Sequence, residues 1–329
     1  MKRYYLAIIT MVVFFAGNMM SVLADENRMN FTPTVESSKG KMDESTSDIK
    51  LKGEPGETVV ARVRIRNEAN EPIKVVAQVH DAMTNGQGIM TYTGTRKVLD
   101  PDFAASQWAK FKESYSLDPQ EEKVVEVPIT LPKEPFSGVV LGGLLLEQEA
   151  KDTDDMIKNV FSYSIPLLII QDETNLEARL EKGGVKPELT NGRNALEISV
   201  KNPIRHVLPE ADYKVSVTRR DEKKVLYEGH LEDVTFAPNN TFIYDLEMGK
   251  DAYQAGDYTA HIKIHSPYGD WEWDEPFTIT KERAKELNRD SISVEKPNYL
   301  IPILITIIIL LVLLVAVLLW RRRHQTEEK

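Results

Sequence analysis

The sequence predicts an all-β protein: two tandem immunoglobulin-like β-sandwich domains followed by one C-terminal transmembrane helix. Three observations carry that expectation. Short segments alternate apolar and polar residues with period two, as half-buried strands do. Turn residues punctuate those segments at close intervals, the pattern of a sandwich and not of a helix-covered parallel sheet. Finally, the run Leu300 to Leu319 contains no charge, and at about 1.5 Å per residue it makes a helix of roughly 30 Å, the depth of a bilayer core.

The ends of the chain set the compartment. Lys2 and Arg3 precede an apolar core from Leu6 to Ala16, and Val22-Leu23-Ala24 offers a cleavage site. This reads as a signal peptide over 1–24, its core being too short for a span. At the other end Tyr299 and Trp320 flank the apolar run, and Arg321, Arg322 and Arg323 follow it. Positive residues favour the cytoplasmic side. The expected order is signal peptide 1–24, sandwich 25–171, sandwich 172–288, polar stalk 289–298, transmembrane helix 299–320 and basic tail 321–329. That is a single-pass type I membrane protein with an extracellular ectodomain.

Composition agrees. There is no cysteine, so the ectodomain is built without disulfides, which favours a bacterial surface over an animal one. A bacterium with one membrane is the simplest host, and no Leu-Pro-x-Thr-Gly sorting signal occurs. Between signal peptide and tail lie 35 basic and 49 acidic residues, a formal charge of −14. Such a surface does not grip phosphate backbones, so nucleic acid is excluded as a partner.

Taken in order, Thr58 to Arg66 alternates as a strand with one buried face, Asn67 to Pro72 turns, and Ile73 to Val79 resumes. Asn85-Gly86-Gln87-Gly88 is a loop before a short strand, Ile89 to Thr93. Val124 to Leu131 alternates around Pro128, which suits an edge strand where no ladder donor is needed. Val139 to Leu146 and Phe161 to Ile170 are nearly continuous apolar runs, expected as central strands. The second half repeats the plan: Ala195 to Asn202 echoes the strand that ends at Asn67. Tyr213 to Thr218, Val225 to His230, Thr241 to Leu246, Tyr258 to Ile264 and Trp271 to Thr280 follow as strands. Asp118-Pro119 and Ala237-Pro238 each precede a strand in the two halves, and Lys281 to Asn288 forms one or two helical turns. Gly40 to Asp48 is polar and reads as a mobile loop.

No catalytic signature is present: neither a Gly-x-Ser-x-Gly elbow nor a His-Glu-x-x-His zinc helix. His261 and His265 are four residues apart, which on a strand separates them by about 13 Å, too far for one metal ion. Asp152, Asp154 and Asp155 lack the glycine and terminal glutamate of a calcium loop and read as a solvated hairpin tip. No metal and no cofactor are expected, and the chain is not read as an enzyme. The candidate binding residues are aromatic, because flat apolar faces with polar edges serve sugars and protein partners alike. They are Trp108, Phe111 and Tyr115 in one connection, and Trp271 and Trp273 two apart on one strand face. Packing against the core is the competing role for each.

Several segments resemble a known family. Val63 to Asn67 followed by Pro72-Ile73, Asp81-Ala82-Met83-Thr84-Asn85 and Leu131 to Leu144 are similar to the first domain of WxL-interacting proteins. Asn191-Gly192-Arg193-Asn194, Ala237-Pro238-Asn239-Asn240 and Ala255-Gly256-Asp257-Tyr258-Thr259 resemble that family's second domain. The resemblance implies a Gram-positive surface protein whose partners are peptidoglycan, WxL-domain proteins and host matrix components. Trp271-Glu272-Trp273 is not itself a WxL motif, so the chain reads as the partner of WxL proteins. The leading expectation is a membrane-anchored scaffold that holds WxL-domain proteins and peptidoglycan at the envelope. An adhesin for host matrix is the alternative, and an envelope carbohydrate hydrolase, resting only on abundant carboxylates, comes last.

Overall fold

The computed structural model describes residues 29–43, 47–94, 96–150, 160–172, 176–294 and 300–326. The expected signal peptide, the Asp152, Asp154 and Asp155 cluster and most of the stalk's second half lie outside the described residues.

The described chain is mostly β. In order the strands are β1 (Phe31–Val35), β2 (Ile49–Lys52), β3 (Thr58–Asn67), β4 (Ile73–Asp81), β5 (Met83–Thr84), β6 (Met90–Thr91), β7 (Lys112–Leu117), β8 (Glu122–Thr130) and β9 (Val139–Gln148). There follow β10 (Ser162–Ile170), β11 (Glu181–Thr190), β12 (Arg193–Asn202), β13 (Leu208–Arg219), β14 (Val225–Phe236), β15 (Asn240–Glu247), β16 (Gly256–Ser266) and β17 (Gly269–Ile279). A 3-10 turn (Pro101–Phe103) leads into α1 (Ala105–Ala109), and α2 (Lys281–Asp290) and α3 (Leu300–Thr326) close the sequence. Their sheets run β1-β3-β8, β2-β10-β9-β4-β7, β11-β12-β15 and β14-β13-β16-β17, with β5 and β6 as a two-stranded ribbon.

Period-two alternation decides the first pair of sheets. In β3 Val59, Ala61, Val63 and Ile65 turn inward while Arg62, Arg64 and Arg66 turn out. Val63 faces Val125 across the antiparallel β3–β8 pair. Phe31, Ile65 and Val127 from this sheet meet Leu51, Val75, Leu144 and Leu167 from the five-stranded sheet in one core. Each such side chain contributes roughly 1.5–3 kcal/mol on leaving water. Pro128 does lie on an edge strand, since among the described residues β8 pairs only with β3. Pro166 stands in β10, which has neighbours on both sides. It is tolerated because β2 pairs with β10 only from Leu167 onward, so the missing N–H falls outside that ladder.

The connection around Trp108 is part helical and part extended. It divides into α1 and β7, separated by Lys110 in the left-handed region (φ 44°). Met83–Thr84 pairs with Met90–Thr91 where the longer strand Ile89 to Thr93 was expected. The described ends of the expected mobile loop are held in place: Met42 donates its N–H to the Lys50 carbonyl at 2.9 Å, and Lys52 donates to Gly40 at 2.8 Å.

Both halves carry the same asparagine device at the end of an alternating strand. Asn67 is fully buried, and its Nδ2 donates to the carbonyls of Glu71 (2.8 Å), Leu117 (3.2 Å) and Asp118 (3.0 Å). Asn202 is equally buried, and its Nδ2 donates to His206 (2.8 Å), Phe236 (3.4 Å) and Ala237 (3.1 Å). Each Oδ1 accepts the amide two residues on, from Ala69 and Ile204. A buried amide that satisfies otherwise orphaned turn carbonyls fixes the turn as firmly as a strand pairing does. The echo between Asn67 and Asn202, and between Asp118-Pro119 and Ala237-Pro238, is therefore structural.

In the second half Tyr213 on β13 meets Phe242 on β15 edge-to-face at 5.4 Å, and Phe236 meets Phe242 at 5.4 Å. These rings join the four-stranded and three-stranded sheets. Contacts divide the chain into two compact units. One holds the described residues up to Lys186 with Glu197–Leu246 and Tyr258–Phe277, and the other holds Pro187–Leu196, Glu247–Asp257 and the described residues from Thr278. Within the smaller unit α2 is capped by Thr280, whose side chain accepts from the Arg283 N–H at 3.1 Å. Asn288 clasps Tyr253 there, accepting its N–H at 2.8 Å and donating to its carbonyl at 2.9 Å. The side chains of α3 are described from Ile303 to Val317, all exposed. Among the described residues no helix is long and apolar enough to cross a membrane.

Candidate functional site

The aromatic candidates are drawn into packing. Trp108 is half-buried, donates its Nε1 proton to the Asp102 carbonyl at 2.9 Å, and lies 5.1 Å from the Phe136 ring and 6.3 Å from Phe103. Phe111 and Tyr115 pack on the core of the first sheet pair as partly buried residues. The Tyr115 hydroxyl donates to Glu113 at 2.7 Å, and burial, then that hydrogen bond, pushes its pKa well above the usual tyrosine range. Trp271 and Trp273 do share one face of β17, both half-buried, on the side that carries the buried Phe277 and Ile279. None of the five is displayed as a fully exposed platform, and the structure does not bring the two groups together into a single site.

His261 and His265 lie on strand β16, and each has its own carboxylate. His261 Nδ1 contacts Asp274 at 2.6 Å, and His265 Nδ1 contacts Asp270 at 2.5 Å. Among the described residues no group of three or more His, Asp or Glu side chains is placed to hold a metal ion.

What the structure does bring together, within the larger compact unit, is a polar joint between segments far apart in sequence. Thr84 is buried; its hydroxyl donates to the Thr235 carbonyl at 2.7 Å and accepts the Ala237 N–H at 2.8 Å. Asn240 donates to the Ala82 carbonyl at 3.0 Å. Asn239 grips the 3-10 turn, accepting the Asp100 N–H at 2.8 Å and donating to the carbonyls of Asp100 (2.8 Å) and Phe103 (3.2 Å). Arg205 lays its guanidinium 4.0 Å over the Phe103 ring and donates Nε–H to the Ser137 carbonyl at 2.9 Å. Arg96 donates to the Thr241 carbonyl at 3.1 Å, and burial lowers its pKa. Between these bonds Ala82, Leu141 and Ala237 form a small apolar cluster with Tyr92, Leu168 and Val207 against it. At Gly138 (φ +87°) a Cβ would stand 2.3 Å from the Arg205 carbonyl oxygen, so only glycine fits there.

The segments that meet, Asp81 to Asn85, Pro135 to Leu141 and Ala237 to Asn240, are among those on which the family resemblance rests. The joint depends on partners roughly 150 positions away, which no local pattern announces.

Two family models match the chain. The WxL Interacting Protein peptidoglycan binding domain covers residues 31–148, and the WxL Interacting Protein host binding domain covers 152–289. The chain belongs to the WxL Interacting Protein family. It is accordingly a surface protein, and both matched families are binding domains. No curated protein matches the chain. Among solved structures it is similar to the YadV chaperone, at 11% identity, over 76% of this chain and 100% of that one, with a TM-score of 0.32. It is similar to a chain from the Salmonella enterica SafA pilin–SafB chaperone complex at 12% identity, over 77% of this chain and 98% of that one, with a TM-score of 0.31. A family 123 glycoside hydrolase from Clostridium perfringens matches at 8% identity over 44% of this chain and 27% of its own, with a TM-score of 0.25. At these scores none of the three bears on topology or function.

Proposed function

We propose that this family member is a non-enzymatic scaffold that holds WxL-domain proteins at the cell envelope while engaging peptidoglycan. In this reading the two sheet pairs are the two domains, 25–171 and 172–288. The uncharged run in α3 is the membrane anchor, with the arginines at 321–323 inside the cell. The observation that carries the reading is the joint. Thr84 and Phe103, in the region matched to peptidoglycan binding, are bonded to Thr235, Ala237 and Asn239, in the region matched to host binding. Two binding regions tied by buried hydrogen bonds suit a protein that must hold one partner in a set orientation to another, a task that needs no reaction chemistry.

Two pull-downs test it with the full-length chain in detergent, one with isolated sacculi and one with a purified WxL-domain protein. Retention by both is the expected outcome; retention by neither ends the reading. The adhesin alternative is favoured by the host-binding match alone. Capture of a basic matrix protein that weakens steeply with salt would support its electrostatic version, as the acidic ectodomain requires.

A further inference from the structure

We propose that the outer face of the four-stranded sheet carries a binding site for an oxyanion of monosaccharide size, a carboxylate or phosphate borne on a sugar. The site goes beyond the scaffold reading and needs neither the WxL partner nor the membrane anchor.

The register builds it. Lys214 on β13 stands directly opposite His230 on β14 and opposite Lys263 on β16; Ser216, two residues along, stands opposite Glu228 and His261. Side chains alternate along each strand, so these six share the outward face. Together they line a depression of ≈ 400 Å³, within the usual size of small-molecule sites. Two lysines directly opposed across a strand pair repel one another, and a bound anion between them would relieve that repulsion.

The groups that line the depression are mainly basic, with their carboxylate partners around its edge. Of its lining residues only Glu228 is acidic, against Lys214, Lys263 and two histidines. The carboxylates that pair with these bases stand outside the lining. Asp212 contacts both Lys214 and His230, Glu272 is 2.7 Å from Lys263, and Asp274 is 2.6 Å from His261. Both lysine side chains remain more than half exposed, at 55% and 62%. Exposed ion pairs of this kind hold little free energy, so either lysine can exchange its carboxylate for a ligand oxygen at small cost. Ser216 and the Nδ1 edge of His230 then supply hydrogen-bonding groups for ring hydroxyls, His261 being held by Asp274 and Thr218.

The test is calorimetric titration of the full-length chain in detergent with glucuronic acid, with glucose 6-phosphate, and with glucose as the neutral control. Saturable binding of either anion, without binding of glucose and weakening as salt rises, is expected. Binding of one anion and not the other names the source, sugar carboxylate or sugar phosphate. The double variant Lys214→Gln/Lys263→Gln should weaken binding by about tenfold or more, and Glu228→Gln should tighten it by about threefold. Unchanged thermal unfolding of the variants checks that the sheet is intact, and unchanged capture of a WxL-domain protein separates this site from the scaffold reading. Absence of saturable binding, equal binding of glucose, or affinity indifferent to the double variant would overturn the proposal.

Discussion

The turn Asp118-Pro119-Gln120-Glu121 and the turn Ala237-Pro238-Asn239-Asn240 are built alike and used differently. Each follows a strand, each has a carbonyl that accepts from a buried asparagine, and each puts its third residue in the left-handed region, Gln120 at φ 62° and Asn239 at φ 53°. In the first half the turn faces solvent. Gln120 accepts a hydrogen bond from Arg66 at 3.0 Å, and Glu121 accepts the Asp118 N–H at 2.7 Å. In the second half the same two positions are buried in the joint, where Asn239 and Asn240 hold Asp100, Phe103 and Ala82. One local geometry thus serves as a solvated corner in one place and a fastening in the other. The side chains at its third and fourth positions make the difference.

The largest expected effect tests the shared part. Asn67→Ala and Asn202→Ala each leave several turn carbonyls buried without a donor, and each should lower stability by about 3 kcal/mol, read by urea unfolding. A loss at one position and none at the other would break the equivalence of the two halves. Next comes the joint: Thr84→Val keeps the shape and removes both hydroxyl bonds, leaving the Thr235 carbonyl and Ala237 N–H unpaired. A loss of about 2 kcal/mol is expected. A neutral result would mean that the joint is held by its apolar cluster alone.

A matched pair of substitutions isolates what distinguishes the turns. Glycine accepts the left-handed backbone at either position, so Asn239→Gly and Gln120→Gly differ mainly in the side-chain bonds removed. The first should cost about 1.5 kcal/mol and speed hydrogen exchange at the Leu99 and Asp100 amides; the second should stay within about 0.5 kcal/mol. Equal effects would erase the distinction. The smallest effect is on acid sensitivity. The Asp118 N–H, then Lys123, holds the Glu121 carboxyl below the usual carboxylate range. Its contribution to stability is full above the unfolded value of about 4.3 and is lost as pH falls through the lower folded value. The Asp118 amide resonance should titrate in that acidic window and stop doing so in Glu121→Gln. Asn240, the counterpart of Glu121, carries no charge, so the second turn should show no such transition.

Much of the fold was legible because β-structure writes its burial into every second residue. Thr58 to Arg66, Ala195 to Asn202 and Tyr258 to Ile264 announce themselves in that way, and Pro128 marks an edge. Strands such as β1, β2, β7 and β11 were not legible, being short or having few buried side chains. The candidate site was less legible still. The aromatic residues named as binding candidates are rich in contact area, and that property draws Trp108 onto Phe103 and Phe136 as readily as onto a ligand. The opposed lysines on β13 and β16 are nearly fifty residues apart in sequence, and only the register makes them neighbours.

By itself, the sequence determined the strand periodicity, the turn chemistry at Pro119 and Pro238, the acidic charge balance, the apolar run at Leu300 to Leu319 and the family. These depend on residue type and short spacing, which a linear reading preserves. The tertiary structure decided what the buried asparagines bond to, why Leu141 and Leu168 are apolar on the outer side of their sheet, and which lysines stand opposed. Each of those depends on which strand lies beside which, a choice made by the joint burial of many side chains and written at no one position.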